Sequence, residues 1–298
     1  MILVAGGSGT LGSLLVGQLL ASGQRVRVLT RDAARLGGMA GGAGAEVVVG
    51  DVRDPADVRR AVAGADTVVS LVQGLAGPGG VSPASIDRDA NIHLIDAAAE
   101  AGADVVLMSV IGASLDSPME LFRMKAAAER HLRQSPVLWT VVRSAAFLET
   151  WTAILEKTAG HGGRPMVLGC GENPVNFVAA ADVATILAEA VTDPAARGRT
   201  IEVSGPTDLT LGELAREVQR AAGRPGAPRH LPRAAMRVVA VTVGRVRPQV
   251  GRMVRASLIM DTVDLRGSSS DNADVTRVVG TTTVANLLAT HRSSADRR

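Results

Sequence analysis

"VAGGSGTLG", residues 4 to 12, decides how the rest of this chain is read. A short apolar run, "MILVA", leads into a loop in which Gly6, Gly9 and Gly12 are evenly spaced. An amphipathic stretch, "TLGSLLVGQLLASG", follows and closes on Gly23. Strand, glycine turn and helix in that order make a phosphate-binding βα unit. Gly6 permits the tight turn, Gly9 lets backbone approach a pyrophosphate, and Gly12 allows helix to pack closely on strand. The helix N-terminus presents unpaired N–H groups to the anion. Gly7, Ser8, Thr10 and Leu11 complete the expected cofactor turn.

Outward from that turn the same rhythm repeats. "RVRVLT", "AEVVVG", "DTVVSLV", "DVVLMSV" and "LWTVVRS" read as further strands, with helical stretches between several of them. One of these helices, residues 84 to 101, places Ile86, Ala90, His93, Leu94 and Ala97 on one face; another covers 118 to 134. Continuous apolar strands separated by helices predict a parallel sheet covered on both faces, the doubly wound α/β pattern. After Ser144 the rhythm loosens. The expected organisation is a nucleotide-binding domain over residues 1–150 and a smaller substrate-binding lobe over 151–298, with segments near 175–205 returning to the main sheet. In the second half Thr210 and Glu213 form a capping box, and 234 to 256 reads as one helix.

Composition narrows the classes. The chain has 298 residues, 46% of them hydrophobic and only 2% aromatic, so the core is built from Ala, Val, Leu and Ile. A single cysteine, Cys170, excludes an internal disulfide and reads as a small buried hydrophobe. No His/Asp/Glu cluster has metal-ligand spacing, so no metal is expected. Met1 runs straight into a strand, leaving no room for a signal peptide, and no apolar stretch is long enough to span a membrane; a soluble, cytoplasmic monomer or homodimer is expected. Net charge is +3, and Arg224, Arg229, Arg233, Arg237, Arg245, Arg247, Arg252 and Arg255 fall where no carboxylate lies between Glu217 and Asp261. Such a run either solvates a helix face or meets an anion. With no aromatics interleaved to stack on bases, no nucleic-acid partner is expected.

The end of the second strand selects the nucleotide. An NAD site offers a carboxylate to the ribose 2′-hydroxyl about 18–20 residues past the glycines. Here that place is Thr30, followed by Arg31. A neutral hydroxyl and a guanidinium suit a 2′-phosphate, so NADP, with NADPH preferred over NADH, is the expected cofactor; Arg31 as a plain surface arginine is the alternative. Asp51 and Val52 in "GDVRDP" are placed to flank an adenine, although Asp51 equally suits a helix cap near Pro55. Ser70, Leu71 and Val72 should run beside the nicotinamide ribose.

The motifs "GGSGTLG", "LTRD", "GDVRDP", "MSVIGAS", "RMKAAAER", "VVRSAAFLE" and "NFVAAADVA", in that order, resemble the NmrA-like group of atypical short-chain dehydrogenase/reductases over most of residues 1 to 215. The resemblance implies a Rossmann domain with a small C-terminal substrate lobe. It implies either NADPH-dependent reductases of quinones, aromatic ethers and related small molecules or regulators that bind the nucleotide without turnover.

The wider superfamily keeps a serine at the end of the fifth strand, then a tyrosine and a lysine in the next helix. Ser109 and Lys125 match; Leu121 stands where the tyrosine belongs, and the chain contains no tyrosine. The usual proton transfer through a tyrosine hydroxyl is therefore excluded. Lys125, one of only two lysines in an arginine-rich chain, is the expected donor to the nicotinamide ribose and a general acid or base. Ser109 would orient a substrate oxygen or cap its loop, and His161 would donate a proton from a turn. Phe147, Trp151 and Phe177 would line an apolar pocket or pack the core. The expectation is an NADP(H)-dependent oxidoreductase passing hydride to a small apolar carbonyl, quinone or conjugated substrate. A nucleotide-sensing regulator, or a non-redox enzyme holding the nucleotide structurally, is the alternative.

Overall fold

The structure is a computed structural model that describes residues 1–37, 44–75, 80–160, 163–224, 226–263, 265 and 275–295. It divides into two compact units. One takes in Met1–Ser144, Ala180–Val203 and Ser270–Val278; the other takes in Ala145–Ala179, Ser204–Ser269 and Val279–Arg298.

The first unit opens with β1 (Ile2–Ala5), α1 (Thr10–Ala21), β2 (Val26–Thr30), α2 (Ala34–Gly37), β3 (Glu46–Val49), α3 (Pro55–Val62) and β4 (Thr67–Ser70). A π-helix (Pro83–Ala90) runs directly into α4 (Asn91–Ala101), followed by β5 (Asp104–Val110), α5 (Glu120–Gln134) and β6 (Trp139–Ser144). In the second unit come β7 (Ala146–Phe147), α6 (Leu148–Ala159), β8 (Met166–Leu168) and β9 (Pro174–Val178), before α7 (Ala180–Thr192) and β10 (Arg199–Ser204) return to the first. The remainder is β11 (Asp208–Thr210), α8 (Leu211–Ala221), β12 (Arg229–Leu231), α9 (Arg233–Val246), α10 (Pro248–Met260), β13 (Val275–Val279) and α11 (Val284–Ala295).

Eight strands form one sheet in the order β13-β10-β6-β5-β4-β1-β2-β3. From β10 to β3 every neighbouring pair is parallel. Alternate residues feed opposite faces. Leu3, Ala5, Val68, Val105 and Leu107 join Val58, Val62, Leu94, Ile95 and Leu132 of α3, α4 and α5 in one core. On the other face lie α1 and α7, with Leu15, Val16, Leu19 and Leu187 buried. Each such side chain contributes roughly 1.5–3 kcal/mol on leaving water. This is the doubly wound parallel sheet that the apolar strands predict. The edge strand β3 departs from the pattern, with Val47 and Val49 exposed among the described residues.

The local signals are met in several places. Asp54 caps α3 through the Ala56 N–H with Pro55 at the first position, and Thr210 and Glu213 close their capping box on α8. The expected helix 84–101 is a π-helix joined to an α-helix, and 234–256 is two helices that meet at Arg247–Pro248, where proline cannot continue the ladder. In the second unit β11, β9 and β7 form one small sheet, and β12 and β8 another. Phe177 is buried in that unit's core. Cys170 is exposed, contrary to the buried position its size suggests, because it lies on the turn whose N–H groups bind Asp261.

Candidate nucleotide and hydride-transfer site

All the strand ends that matter, those of β1, β2, β3, β4 and β5, point the same way because the strands are parallel. The loop after β1 is built as the glycines suggest. Gly6 has φ +89, open only to glycine in ordinary circumstances. A Cβ on Gly12 would lie 2.3 Å from the Gly6 carbonyl oxygen, and one on Gly7 would lie 2.8 Å from Val28. Gly9 has neither constraint: its nearest neighbour would be the Gly6 oxygen at 3.5 Å, and it forms the uncapped start of α1. The first intrahelical bond is Ser13 N–H to the Gly9 carbonyl, which leaves the preceding amides of Thr10, Leu11 and Gly12 without a helical partner. No acid occupies the first turn to compete for them. A pyrophosphate fits this cradle.

At the end of β2, the Thr30 hydroxyl lies 3.4 Å from the Ser8 hydroxyl and joins the two loops. Arg31 is exposed and makes no hydrogen bond among the described residues. The adjacent carboxylate, Asp32, accepts the Ala34 N–H and faces Arg35 at 3.7 Å. Asp51 is gripped by the Arg53 guanidinium, with Nη2 to Oδ2 at 2.6 Å, and also accepts the Arg53 amide. That side-chain bond, against a little burial, holds the Asp51 carboxyl below the usual aspartate range. Asp51 is not the cap of α3, a place taken by Asp54. Val52 packs on the main core.

Lys125 comes in from α5 beneath the ends of β4 and β5. Its side chain is 4% exposed, and Nζ donates to the carbonyls of Val72 and Met108, each at 3.0 Å. Asp87 Oδ1, from the π-helix, stands 3.1 Å from the same nitrogen. Burial pushes the Asp87 carboxyl above the ordinary aspartate value, with Lys125 and the Gly74 N–H pulling the other way. Leu121, in the tyrosine's place, is buried one turn earlier.

One turn later on α5 lies a second buried charge. Glu129 accepts from Ser109 Oγ at 2.5 Å, from both arms of Arg143 at 3.0 and 2.7 Å, and from Arg133 at 2.9 Å. Burial raises this carboxyl; the bonds from Arg143, Ser109 and Arg133 outweigh it and bring the group below the usual glutamate value. The Ser109 hydroxyl is thus committed to the protein frame. Ser70 is likewise engaged, donating to Asn91 Oδ1 at 2.5 Å. His161 lies outside the described residues.

The expected residues Gly6 through Gly12, Thr30, Arg31, Asp51, Val52, Ser70, Leu71, Val72, Ser109 and Lys125 all belong to the first unit, Lys125 within α5 and the others at strand ends or in the loops and first helical turn that follow them. Asp87, Asn91, Glu129 and Arg143 were not legible as members. For Glu129 a signal existed: it follows Lys125 by four residues, on the stripe that also holds Leu121, Ala128 and Leu132. For Asp87 there was none, because the π-turn breaks the helical period.

A parallel doubly wound sheet whose first loop leaves the opening amides of a helix unpaired is the architecture of the dinucleotide-binding Rossmann proteins. Comparison with known proteins makes the assignment specific. Residues 6–194 match the NAD(P)H-binding family. The chain is 29% identical over 265 residues to the NAD(P)H azoreductase of Xenophilus azovorans, covering 89% of this chain and 85% of that one. It is 32% identical over 228 residues to the (4-alkanoyl-5-oxo-2,5-dihydrofuran-3-yl)methyl phosphate reductase of Streptomyces griseus, covering 76% and 75%. In fold it resembles the NADPH-dependent quinone oxidoreductase of Escherichia coli, with TM-score 0.74, 21% identity and 98% and 100% of the two chains covered. It also resembles the Citrobacter sp. triphenylmethane reductase complexed with NADP(H), with TM-score 0.75, 19% identity and coverage of 97% and 99%. The chain belongs to the NAD(P)H-binding family. Among the described residues no helix is long and apolar enough to cross a membrane.

Proposed function

We propose that the protein is an NADP(H)-dependent oxidoreductase that passes hydride between the nicotinamide and a small apolar carbonyl, quinone or conjugated acceptor. The observation that carries this reading is Lys125, an ammonium buried at the ends of β4 and β5 where only two of its N–H groups meet carbonyls. A lysine has three such donors. The remaining one is available to a ribose hydroxyl or to the oxygen or nitrogen of an acceptor. With no tyrosine in the chain and Leu121 buried, Lys125 is a buried donor at this edge among the described residues.

When bound, the reduced nicotinamide supplies the hydride; the chain supplies orientation and a proton. Thr10, Leu11 and Gly12 amides hold the pyrophosphate, and Arg31 takes the 2′-phosphate in a charge-assisted fork. Engagement of Asp32 by Ala34 and Arg35, and of Asp51 by Arg53, supports that preference, since neither carboxylate is left facing the phosphate unneutralised. The acceptor gains hydride and one proton, delivered from Lys125 or from water. Ser109 serves the frame through Glu129. Relatives that include an azoreductase and a quinone oxidoreductase support a conjugated acceptor. The reading places the enzyme in the cytoplasm, acting on a small molecule.

Fluorescence titration with NADPH and NADH, then NADPH oxidation with a panel of quinones, enones and azo dyes, tests it. NADPH should bind about tenfold or more tighter than NADH, as loss of a charged hydrogen bond implies, and at least one acceptor should oxidise it. Affinity for neither coenzyme removes the reading. Tight binding with no oxidation by any acceptor moves the assignment to a nucleotide-sensing regulator.

A further inference from the structure

We infer that Asp87 is a positioning residue of this site, holding the Lys125 ammonium by charge while leaving one of its N–H groups free for a ligand oxygen. The inference rests on the reading in which Lys125 touches the nucleotide.

The geometry separates charge from hydrogen bonding. Asp87 is fully buried, and its Oδ2 accepts the Gly74 N–H at 2.9 Å. Its Oδ1 lies 3.1 Å from Lys125 Nζ yet stands out of line and accepts no hydrogen bond among the described residues. A carboxylate aligned on the third N–H would hold the ammonium equally well and would consume the donor. Carbonyl dipoles alone would leave a buried ammonium poorly compensated, because burial disfavours the charged form. The offset pair avoids both outcomes.

The backbone fixes that offset. Asp87 sits on a π-helix, a rare element that recurs at functional sites. Asn91 holds it, donating from Nδ2 to the carbonyls of Ile86 at 3.3 Å and Asp87 at 2.9 Å, and itself held by Ser70. Ser82 and Ser85 close a capping box at its start. A Cβ on Gly74 would lie 2.3 Å from the Ser82 carbonyl oxygen, so the strand β4 extension and the π-helix are pressed together at the point where Asp87 anchors. Strand end, π-turn and α5 therefore meet at this carboxylate.

Other ionisable groups near Lys125 do not substitute for Asp87. Asp89 and Arg88 on the π-helix pair with each other at 2.6 Å, and His93 on α4 acts on Asp89. Glu120 on α5 reaches Asp87 only through space, Glu129 is bound by Arg143 and Arg133, and the residues just past the carboxyl ends of β4 and β5, 71–75 and 111–115, include no ionisable group.

The test compares Asp87→Asn, Asp87→Ala and Lys125→Met with the unaltered protein, using NADPH affinity across pH and NMR of labelled lysine. With only Lys125 and Lys157 present, Lys125→Met assigns both signals, and exposed Lys157 serves as the control. In either Asp87 variant the labelled Lys125 signal should move from its position in the unaltered protein while that of Lys157 stays in place. NADPH affinity should fall in both Asp87 variants, and the loss should be larger at about pH 9 than at about pH 6, because removing the paired carboxylate disfavours the charged ammonium. Asparagine can still accept the Gly74 N–H, and one folded Asp87 variant suffices. An unmoved Lys125 signal and overlapping affinity profiles, with Lys125→Met weakened, overturn the inference and leave the functional reading standing. If Lys125→Met binds NADPH as the unaltered protein does at every pH, both fall.

Discussion

Two charged side chains one turn apart on α5 are buried to the same degree and are treated oppositely by their surroundings. Glu129 receives four hydrogen bonds, from Ser109, Arg133 and both arms of Arg143, and has no oxygen left over. Lys125 receives two carbonyls and an offset carboxylate, and keeps a donor in hand. A fully satisfied buried charge fixes a frame; an incompletely matched one marks where a ligand completes it. The frame extends from Glu129 through Arg143 to Glu202 at 3.3 Å, and through Arg133, which bonds Thr200 and lies 5.1 Å over the Trp139 ring, so that α5, β6 and β10 are tied together. The neighbouring lysine is held by what that frame positions.

The sharpest way to break this contrast is Glu129→Ala. It leaves Arg143 and Arg133 without their common carboxylate and should destabilise the protein by about 3–5 kcal/mol in urea unfolding. The same group fixes a pH signature. Its folded value is lowered, so its stabilisation is fully present above the ordinary glutamate value of about 4.3 and is lost as pH falls through the folded value. Glu129→Gln should flatten that acid limb of the unfolding curve. Asp87, pushed up by burial, acts in the opposite sense and weakens folding as pH rises from the ordinary aspartate value toward its folded one.

Lys125→Met should reverse the balance of effects. Turnover of NADPH with an accepted quinone should fall by about a hundredfold or more, in the range for loss of a general acid. Its stability should change far less than that of Glu129→Ala, because Asp87 can take up a proton. If Lys125→Met costs as much stability as Glu129→Ala and leaves turnover intact, the distinction between the two charges is wrong.

Arg31→Ala should weaken NADPH by about tenfold, the worth of a charged hydrogen bond, while leaving NADH binding unchanged. Equal losses for both coenzymes would place Arg31 away from the 2′-phosphate. The smallest effect is expected in the second unit. Thr210→Ala opens the capping box of α8, in which Thr210 accepts the Glu213 N–H at 3.1 Å, and should cost about 1 kcal/mol of stability with no change in coenzyme affinity.

Much of the first unit was legible because its signals are local. The Gly6, Gly9 and Gly12 spacing, the apolar strands and the Thr210 cap each act within a few residues, where backbone sterics and period decide the outcome. What was illegible depended on distant segments or on broken period. Ser109 read as either a substrate contact or a loop cap because only its place at a strand end was visible, while Glu129, which takes its hydroxyl, became its neighbour only when α5 packed beside β5 and β6. Cys170 read as buried from its size, and a turn wrapped on Asp261, ninety-one residues away, put it outside.

The sequence by itself determined that a phosphate-binding turn opens a parallel α/β sheet, that no tyrosine serves its chemistry, and that a rare lysine stands at the expected place on α5. Only the tertiary structure decided which carboxylate meets that lysine and at what angle. Periodicity records which face of an element is apolar. The alignment of one N–H with one oxygen is set by atoms from the β4 end, the π-helix and α5 arriving together.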